Sequence, residues 1–299
     1  MTCDALDEAW LLRHPLPAIE HGADKNGRGR VLVVGGAEFV PGALRLTGEA
    51  ALRAGAGKLQ LATVQSSALS LGVLVPEAAM IALPADKNGE IAPEAAEMLV
   101  TRMANCDTLV LGPGMSTSVS TQAFIENMLA RLDFPVCLIL DAAALVALRK
   151  LDQSRLHGKN VILTPHHGEM AALSGLSIEA VDADPASVAI EMAARWNAVI
   201  LLKGGRSHLA SPEGECLAYT GGCVGLGTGG SGDVLAGLVG GLAARGASPL
   251  TAAAWGVWIH GRAGTILAKK VGQIGFLARE LLPLIPSIID EQVATTSTR

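Results

Sequence analysis

Aromatic residues are scarce in this chain of 299 residues: four Trp, four Phe and a single Tyr. A core built on rings is therefore excluded, and Ala, Leu, Val and Ile must supply the buried surface. Charge is thin as well, at 17% of residues, with a net charge of −5 and no basic block. That removes the electrostatic footprint a nucleic-acid partner would require. The five cysteines, at 3, 106, 137, 216 and 223, form no CxxC pair and no disulfide-like framework, so free thiols in a reducing, cytoplasmic setting are expected. No apolar run is long enough to span a bilayer. The best candidate, 234–244, is broken by three glycines and ended by Arg245. Acids come early after Met1-Thr2-Cys3-Asp4 with no apolar segment, so no secretory leader and no membrane partner are expected.

What the chain does have is apolar aliphatic material and glycine. Half of it is hydrophobic, mean hydropathy is +0.40, and it carries 35 Gly, which excludes disorder. Short continuous apolar runs read as strands buried on both faces, at 31–34, 80–83, 108–111, 136–140, 161–163 and 199–202, with 58–64 as an alternating strand. Stretches of helical length lie between most of them, among them 43–54, 93–103 and 121–132. Strand and helix in alternation predict an α/β fold, a mostly parallel central sheet with helices on both faces. Residues 207–210 and 215–219 flank Ser211-Pro212-Glu213-Gly214, a turn signal predicting an antiparallel hairpin at one sheet edge. Helices are expected at 234–244, 249–270 and 276–285. The organisation expected is a lead-in over 1–24, one domain over 25–290 and a flexible tail over 291–299.

In an open α/β sheet, ligands bind beyond the carboxyl ends of the strands. There the chain places Gly35-Gly36, Gly112-Pro113-Gly114, Asp141, Thr164-Pro165-His166-His167-Gly168-Glu169 and Lys203-Gly204-Gly205. The densest signal is Gly225-Leu226-Gly227-Thr228-Gly229-Gly230-Ser231-Gly232-Asp233, directly before an apolar helix. Glycines let successive amides point into one concavity, and the helix start adds partial positive charge, which suits a phosphate. Asp233 reads either as the helix N-cap or as a base taking a proton from an attacking hydroxyl. Gly227-x-Gly229-x-x-Gly232 fits the dinucleotide fingerprint formally, but no strand feeds directly into it, and no Walker A loop is present. His166 reads as a substrate partner and Glu169 as part of a magnesium or phosphate shell, or both simply open a helix. His260, Trp255 and Trp258, on one long apolar helix, read as packing residues.

Taken in order, Val31 to Gly36, Pro41-Gly42-Ala43, Arg53 to Lys58, Pro76-Glu77, Leu111 to Gly114, Leu140-Asp141-Ala142, Leu163 to Glu169, Lys203-Gly204 and Gly229 to Leu235 resemble the ADP-dependent NAD(P)H-hydrate dehydratases of the ribokinase-like superfamily. The Thr-Pro-His-x-Gly-Glu segment is the most specific of these. The resemblance implies a ribokinase-like three-layer fold and repair of NADH and NADPH whose nicotinamide ring has been hydrated. ADP phosphorylates the added hydroxyl, and loss of phosphate restores the double bond. It further implies that Ala43, Gly114, His166 and Asp233 contact the hydrate, and that Lys203, Gly204, Gly205, Arg206, Ser207 and Gly232 hold the adenine nucleotide. Gly229, Gly230, Ser231 and Gly232 would form the anion hole, with Asp233 as catalytic base. Mg2+ as cofactor, a homotetramer and a separate epimerase in the same pathway are implied in the same way. Ser207 stands where relatives usually have Thr, and His167 where Pro is common. The alternatives are a small-molecule kinase of the thiazole or pyrimidine type and a non-catalytic nucleotide-binding protein on the same fold.

Overall fold

The computed structural model describes residues 3–18, 22, 24–133, 135–151, 156 and 158–297. Its strands are β1 (Asp4–Ala5), β2 (Arg30–Val34), β3 (Lys58–Val64), β4 (Ala78–Leu83), β5 (Thr108–Leu111), β6 (Cys137–Leu140), β7 (Val161–Leu163), β8 (Val199–Leu202), β9 (Ser207–Ala210) and β10 (Cys216–Tyr219). They form one sheet in the order β1-β10-β9-β8-β7-β6-β5-β2-β3-β4. Only β9 runs against the others, through antiparallel pairing to both β8 and β10.

Period-two geometry explains the continuous apolar runs. In β2, Val31 and Val33 enter the core on one face, while Leu32 and Val34 enter the core on the other. Both faces are dry, so every position must be apolar. One face is covered by α2 (Gly42–Arg53), α10 (Ser231–Ala244), α11 (Pro249–Lys270), α12 (Ala278–Leu281) and α13 (Ile285–Ser297). The other carries α4 (Ala95–Met103), α5 (Val119–Ala130), α6 (Ala143–Ala147), α7 (His167–Ser174), α8 (Ile178–Ala183) and α9 (Pro185–Trp196). Two further helices are α1 (Glu8–Arg13) and α3 (Gln65–Leu74). Residues 234–244 of α10 are buried all round, and no helix among the described residues is long and apolar enough to cross a membrane.

Two glycines of α10 face the backbone of α2. A Cβ on Gly237 would lie 2.1 Å from the Thr47 carbonyl oxygen of α2, and one on Gly241 would lie 2.5 Å from that of Ala51. The missing side chains let α2 and α10 pack against each other at backbone distance.

The expectation of free thiols needs correction, and the reason lies in segment 1–24, expected as a lead-in: β1 pairs parallel with β10, Asp4 beside Leu217, and α1 buries Trp10 and Leu11. A two-residue strand carries no periodicity a sequence could display. That pairing brings Cys3 to Cys216, and the two form a disulfide with their Cα atoms 4.7 Å apart, against the expectation of free thiols throughout. Their separation of 213 residues hides the pairing from sequence spacing. Cys106, Cys137 and Cys223 are free. At the other end, α13 runs to Ser297, through most of the segment expected as a tail. The predicted hairpin β9–β10 is present, but β1 lies outside it and forms the edge.

Candidate active site

Because β2 and β5 to β8 run parallel, their carboxyl ends open on one side of the sheet. The chain leaves β2 outward through β3 and β4, then returns to β5 on β2's other flank, so the loops after β2 and β5 part at a switch point. There Gly36 donates its N–H to the Pro113 carbonyl at 2.8 Å. Gly114 adopts φ 69°, and a Cβ on it would stand 2.8 Å from the Cβ of Ala43, in the first turn of α2. Ala43 and Gly114, expected to act together, are thus in contact.

The neighbouring loops converge on Lys203. It follows β8, and its N–H bonds the Pro165 carbonyl at 2.8 Å, which sets it beside His166 after β7. Its Nζ donates to Asp141 Oδ1 at 2.8 Å and lies 3.9 Å from Glu169 Oε2. Asp141 follows β6, is 3% exposed, and also accepts from Thr164 Oγ1 at 2.7 Å. Burial pulls the Lys203 pKa down, but the charges of Asp141 and then Glu169 outweigh it, so the ammonium is held above its ordinary value.

Gly230, at φ 88°, is the N-cap of α10, and Asp233 lies in its first turn. The capping alternative for Asp233 is set aside on that geometry. Burial, then the charge of Asp141, push the Asp233 carboxyl up to about 7, against a smaller downward pull from Lys203. Gly232 faces Lys203: a Cβ there would lie 3.6 Å from Nζ. The Ser231 N–H is taken by the Thr228 carbonyl at 3.2 Å. Its hydroxyl instead shares a 3.0 Å hydrogen bond with Nε2 of His260, on α11. Burial drives His260 down to about 4, so the imidazole is neutral.

A cleft of about 750 Å³ opens here. Its walls include His166, Lys203, Gly204, Gly205, Ser207, Ser231 and Gly232 from the expected set, joined by Tyr219, Leu235 and His260. Gly204 and Ser207 close the β8–β9 turn on each other, Ser207 Oγ lying 3.4 Å from the Gly204 nitrogen. Arg206 instead lines a smaller pocket of about 470 Å³ with His167 and His208. Gly229, Gly230 and Asp233 lie along the loop and helix start rather than on the cleft wall, as do Ala43 and Gly114 on the switch-point side.

Glu169 is committed elsewhere. Its Oε2 accepts from the His166 N–H at 2.8 Å while its own N–H bonds His166 Nδ1 at 3.2 Å, a capping box that opens α7. Among the described residues no group of three or more His, Cys, Asp and Glu is placed to hold a metal ion, so Glu169 would reach Mg2+ only with water and phosphate oxygens completing the shell. His167 pairs through Nδ1 with Asp182.

Sequence reasoning missed two partners. Asp141 was visible as the residue after an apolar strand, but its bond to Lys203 depends on β6, β7 and β8 being neighbours in the sheet. His260 reads as packing and is indeed buried and hydrogen-bonded, yet it also lines the cleft.

Comparison with known proteins finds relatives over nearly the whole chain. Residues 31–287 match a family model described as NAD(P)H-hydrate dehydratase. An ADP-dependent (S)-NAD(P)H-hydrate dehydratase of Xanthomonas campestris is 48% identical over 94% of each chain. A bifunctional NAD(P)H-hydrate repair enzyme of Moorella thermoacetica is 38% identical, covering 97% of this chain and 55% of its own length, so the present chain spans about half of that relative. Among solved structures, the ADP/ATP-dependent NAD(P)H-hydrate dehydratase of Bacillus subtilis, co-crystallised with ATP and Mg2+, superposes with a TM-score of 0.82 at 27% identity, covering 98% of this chain and 99% of its own.

Proposed function

The chain belongs to the NAD(P)H-hydrate dehydratase family, and from that premise we propose that it dehydrates the S-epimer of hydrated NADH and NADPH, using ADP and releasing AMP and phosphate. What supports this most is the pairing of one raised carboxyl, Asp233, with the Lys203 ammonium and the Gly229–Gly230–Ser231–Gly232 loop at the edge of a nucleotide-sized cleft.

In this reading ADP lies along the cleft, held by Lys203, Gly204, Gly205, Ser207 and Gly232, with Arg206 reaching it from the adjoining smaller pocket. The hydrate enters from the switch-point side, against Ala43, Gly114 and His166. Asp233 takes the hydroxyl proton as the new O–P bond forms, and the P–O bond to AMP breaks with its electrons on the AMP oxygen. Amides of the loop and the Lys203 charge steady the migrating phosphoryl group. The ring nitrogen's lone pair then expels phosphate, and loss of a proton from the adjacent ring carbon restores the double bond. Magnesium would travel with the nucleotide's phosphates and water, since the carboxylates here are already engaged, and no step above relies on it.

A homo-oligomer, a tetramer by the family resemblance, belongs to the same proposal. Its support is the outer edge of β4, last in the sheet and free of charged residues, beside exposed Leu69 and Val73 on α3. A cytoplasmic location and an epimerase on a separate protein are proposed with it.

The test is incubation with chemically hydrated NADH and ADP. Recovery of 340 nm absorbance with release of phosphate is expected. A phosphorylated product that persists would instead indicate a kinase, and ADP binding without reaction a nucleotide-binding protein. Asp233→Ala is expected to bind ADP and lose turnover by ~10³-fold; undiminished turnover would remove Asp233 from the chemistry.

A further inference from the structure

Two carboxylates and one ammonium meet at the carboxyl ends of β6 to β8, Asp141, Glu169 and Lys203, and the Asp233 carboxyl at the start of α10 feels the charges of Asp141 and Lys203. Glu169 is tied into the α7 cap, and Asp233 is assigned to the hydroxyl proton. Asp141 has no task in the reaction as written above, yet the fold goes to some length to present it. It is buried, and its Oδ1 takes both Lys203 Nζ and Thr164 Oγ1. On either side of it in the sheet the backbone is unusual. Gly112, at φ 116°, leaves room for the Asp141 carbonyl, which a Cβ there would meet at 2.0 Å. Ala142, directly after Asp141, adopts φ 49° and ψ −119°, a conformation an L side chain rarely accepts.

We propose that Asp141 is a positioning residue for the phosphoryl-transfer step, holding the Lys203 ammonium beside Gly232 and presenting its own negative charge to Asp233. Two consequences follow from one carboxylate. Lys203 is aimed at the place where the nucleotide's phosphates would lie, so little ordering remains for binding to supply. The neighbouring negative charge resists a second one on Asp233, which makes Asp233 a stronger proton acceptor. The inference rests on the reading of Asp233 as the base.

The charges acting on Asp233 are Asp141 and Lys203. The elements packed against α10 carry other ionisable groups: Arg45, Glu49 and Arg53 on α2, Arg262, Lys269, Lys270 and the neutral His260 on α11, and Arg279 and Glu280 on α12. None of these is among the interactions that move the carboxyl. Removing the Asp141 charge takes away the repulsion and also leaves Lys203 with its full attraction for Asp233, so both effects lower the proton affinity of Asp233. Removing Lys203 acts in the opposite direction.

The test reads the Asp233 carboxyl directly, by carbon-13 NMR of aspartate-labelled protein, with the resonance assigned by its loss in Asp233→Asn. In Asp141→Asn the titration midpoint is expected to fall by ~1 pH unit or more, and in Asp141→Glu, which keeps the charge, to return toward the wild-type value. Calorimetry is expected to show ADP binding ~10-fold weaker in Asp141→Asn and partly recovered in Asp141→Glu. A folded Asp141→Asn protein with an unmoved Asp233 midpoint overturns the proposal. Should that variant not fold, Lys203→Gln decides: its Asp233 midpoint is expected to rise, and one that stays or falls overturns the charge balance on which the proposal stands. None of these measurements requires turnover. A protein that shows the expected titrations yet fails to dehydrate hydrated NADH would therefore sink the proposed function and not the placement of Asp141.

Discussion

Burying a carboxylate removes solvation that only a nearby cation can return, and Asp233 has Lys203 on one side but Asp141 on the other. The result is a carboxyl raised from 3.8 to about 7, which bears on stability as well as on catalysis. Between those two values the folded protein holds a proton that the unfolded chain has released. Stability from this group is therefore complete below about pH 4, is lost as the pH climbs toward 7, and changes little beyond. Asp233→Asn is expected to abolish that dependence, leaving stability near wild type at pH 4 and raising it by ~4 kcal/mol at pH 8 in urea titrations. Equal stability of the two proteins at pH 8 would mean that Asp233 is not held in a poorly solvated place. At this scale the sequence was partly legible. The glycine density of 225–233 pointed to the loop and to Asp233, because glycines before a helix start have few other uses. Asp141 gave no comparable signal, since its importance lies in bonds to Thr164 and Lys203, which follow two other strands.

Among the elements, α10 and α2 show how far small residues were read correctly and for which reason. The three glycines in 234–244 rule out a membrane span, as argued from length and interruption. The positive role of two of them, Gly237 facing Thr47 and Gly241 facing Ala51 of α2, needed the packed pair to be seen. Gly237→Ala is expected to destabilise the protein by ~1–3 kcal/mol, although alanine favours a helix by up to ~1 kcal/mol over glycine. The added methyl meets the backbone oxygen of Thr47, which cannot rotate away. Chemical denaturation checks this, and a gain in stability would show that α2 yields easily. Helix bounds were most legible where a cap announced them. The span 249–270 is that of α11, with Ser248 accepting from the Thr251 N–H at 3.2 Å and Pro249 in the first turn. β1 was illegible because two residues cannot express a period. β10 was read as a sheet edge because nothing in residues 3–5 announces a strand that would cover it.

For the whole molecule, the alternation of strands and helices was enough to predict a parallel sheet covered on both faces, because both cores draw on alternate residues of the same apolar runs. The order of strands was not. It sets β2 between β5 and β3 and thereby decides that the loops after β2 and β5 part at the switch point. The same order leaves β4 as an edge with Leu69 and Val73 of α3 exposed at 85% and 81%. If that side joins copies of the chain, Leu69→Glu with Val73→Glu is expected to reduce the assembly to a smaller species in light scattering, while the monomer's fold is retained by circular dichroism. An unchanged particle mass would move the interface elsewhere.

The first strand of the chain lies against the last strand of the sheet, so residues 4 and 5 must wait for residues 217 and 218 before they have anything to pair with. During synthesis residues 4 and 5 therefore emerge from the ribosome long before their docking place exists, and the sheet can be sealed at that border only after residue 218 has been made. A bulky fusion ahead of Cys3 would burden the closing step of maturation while leaving the strands assembled earlier untouched.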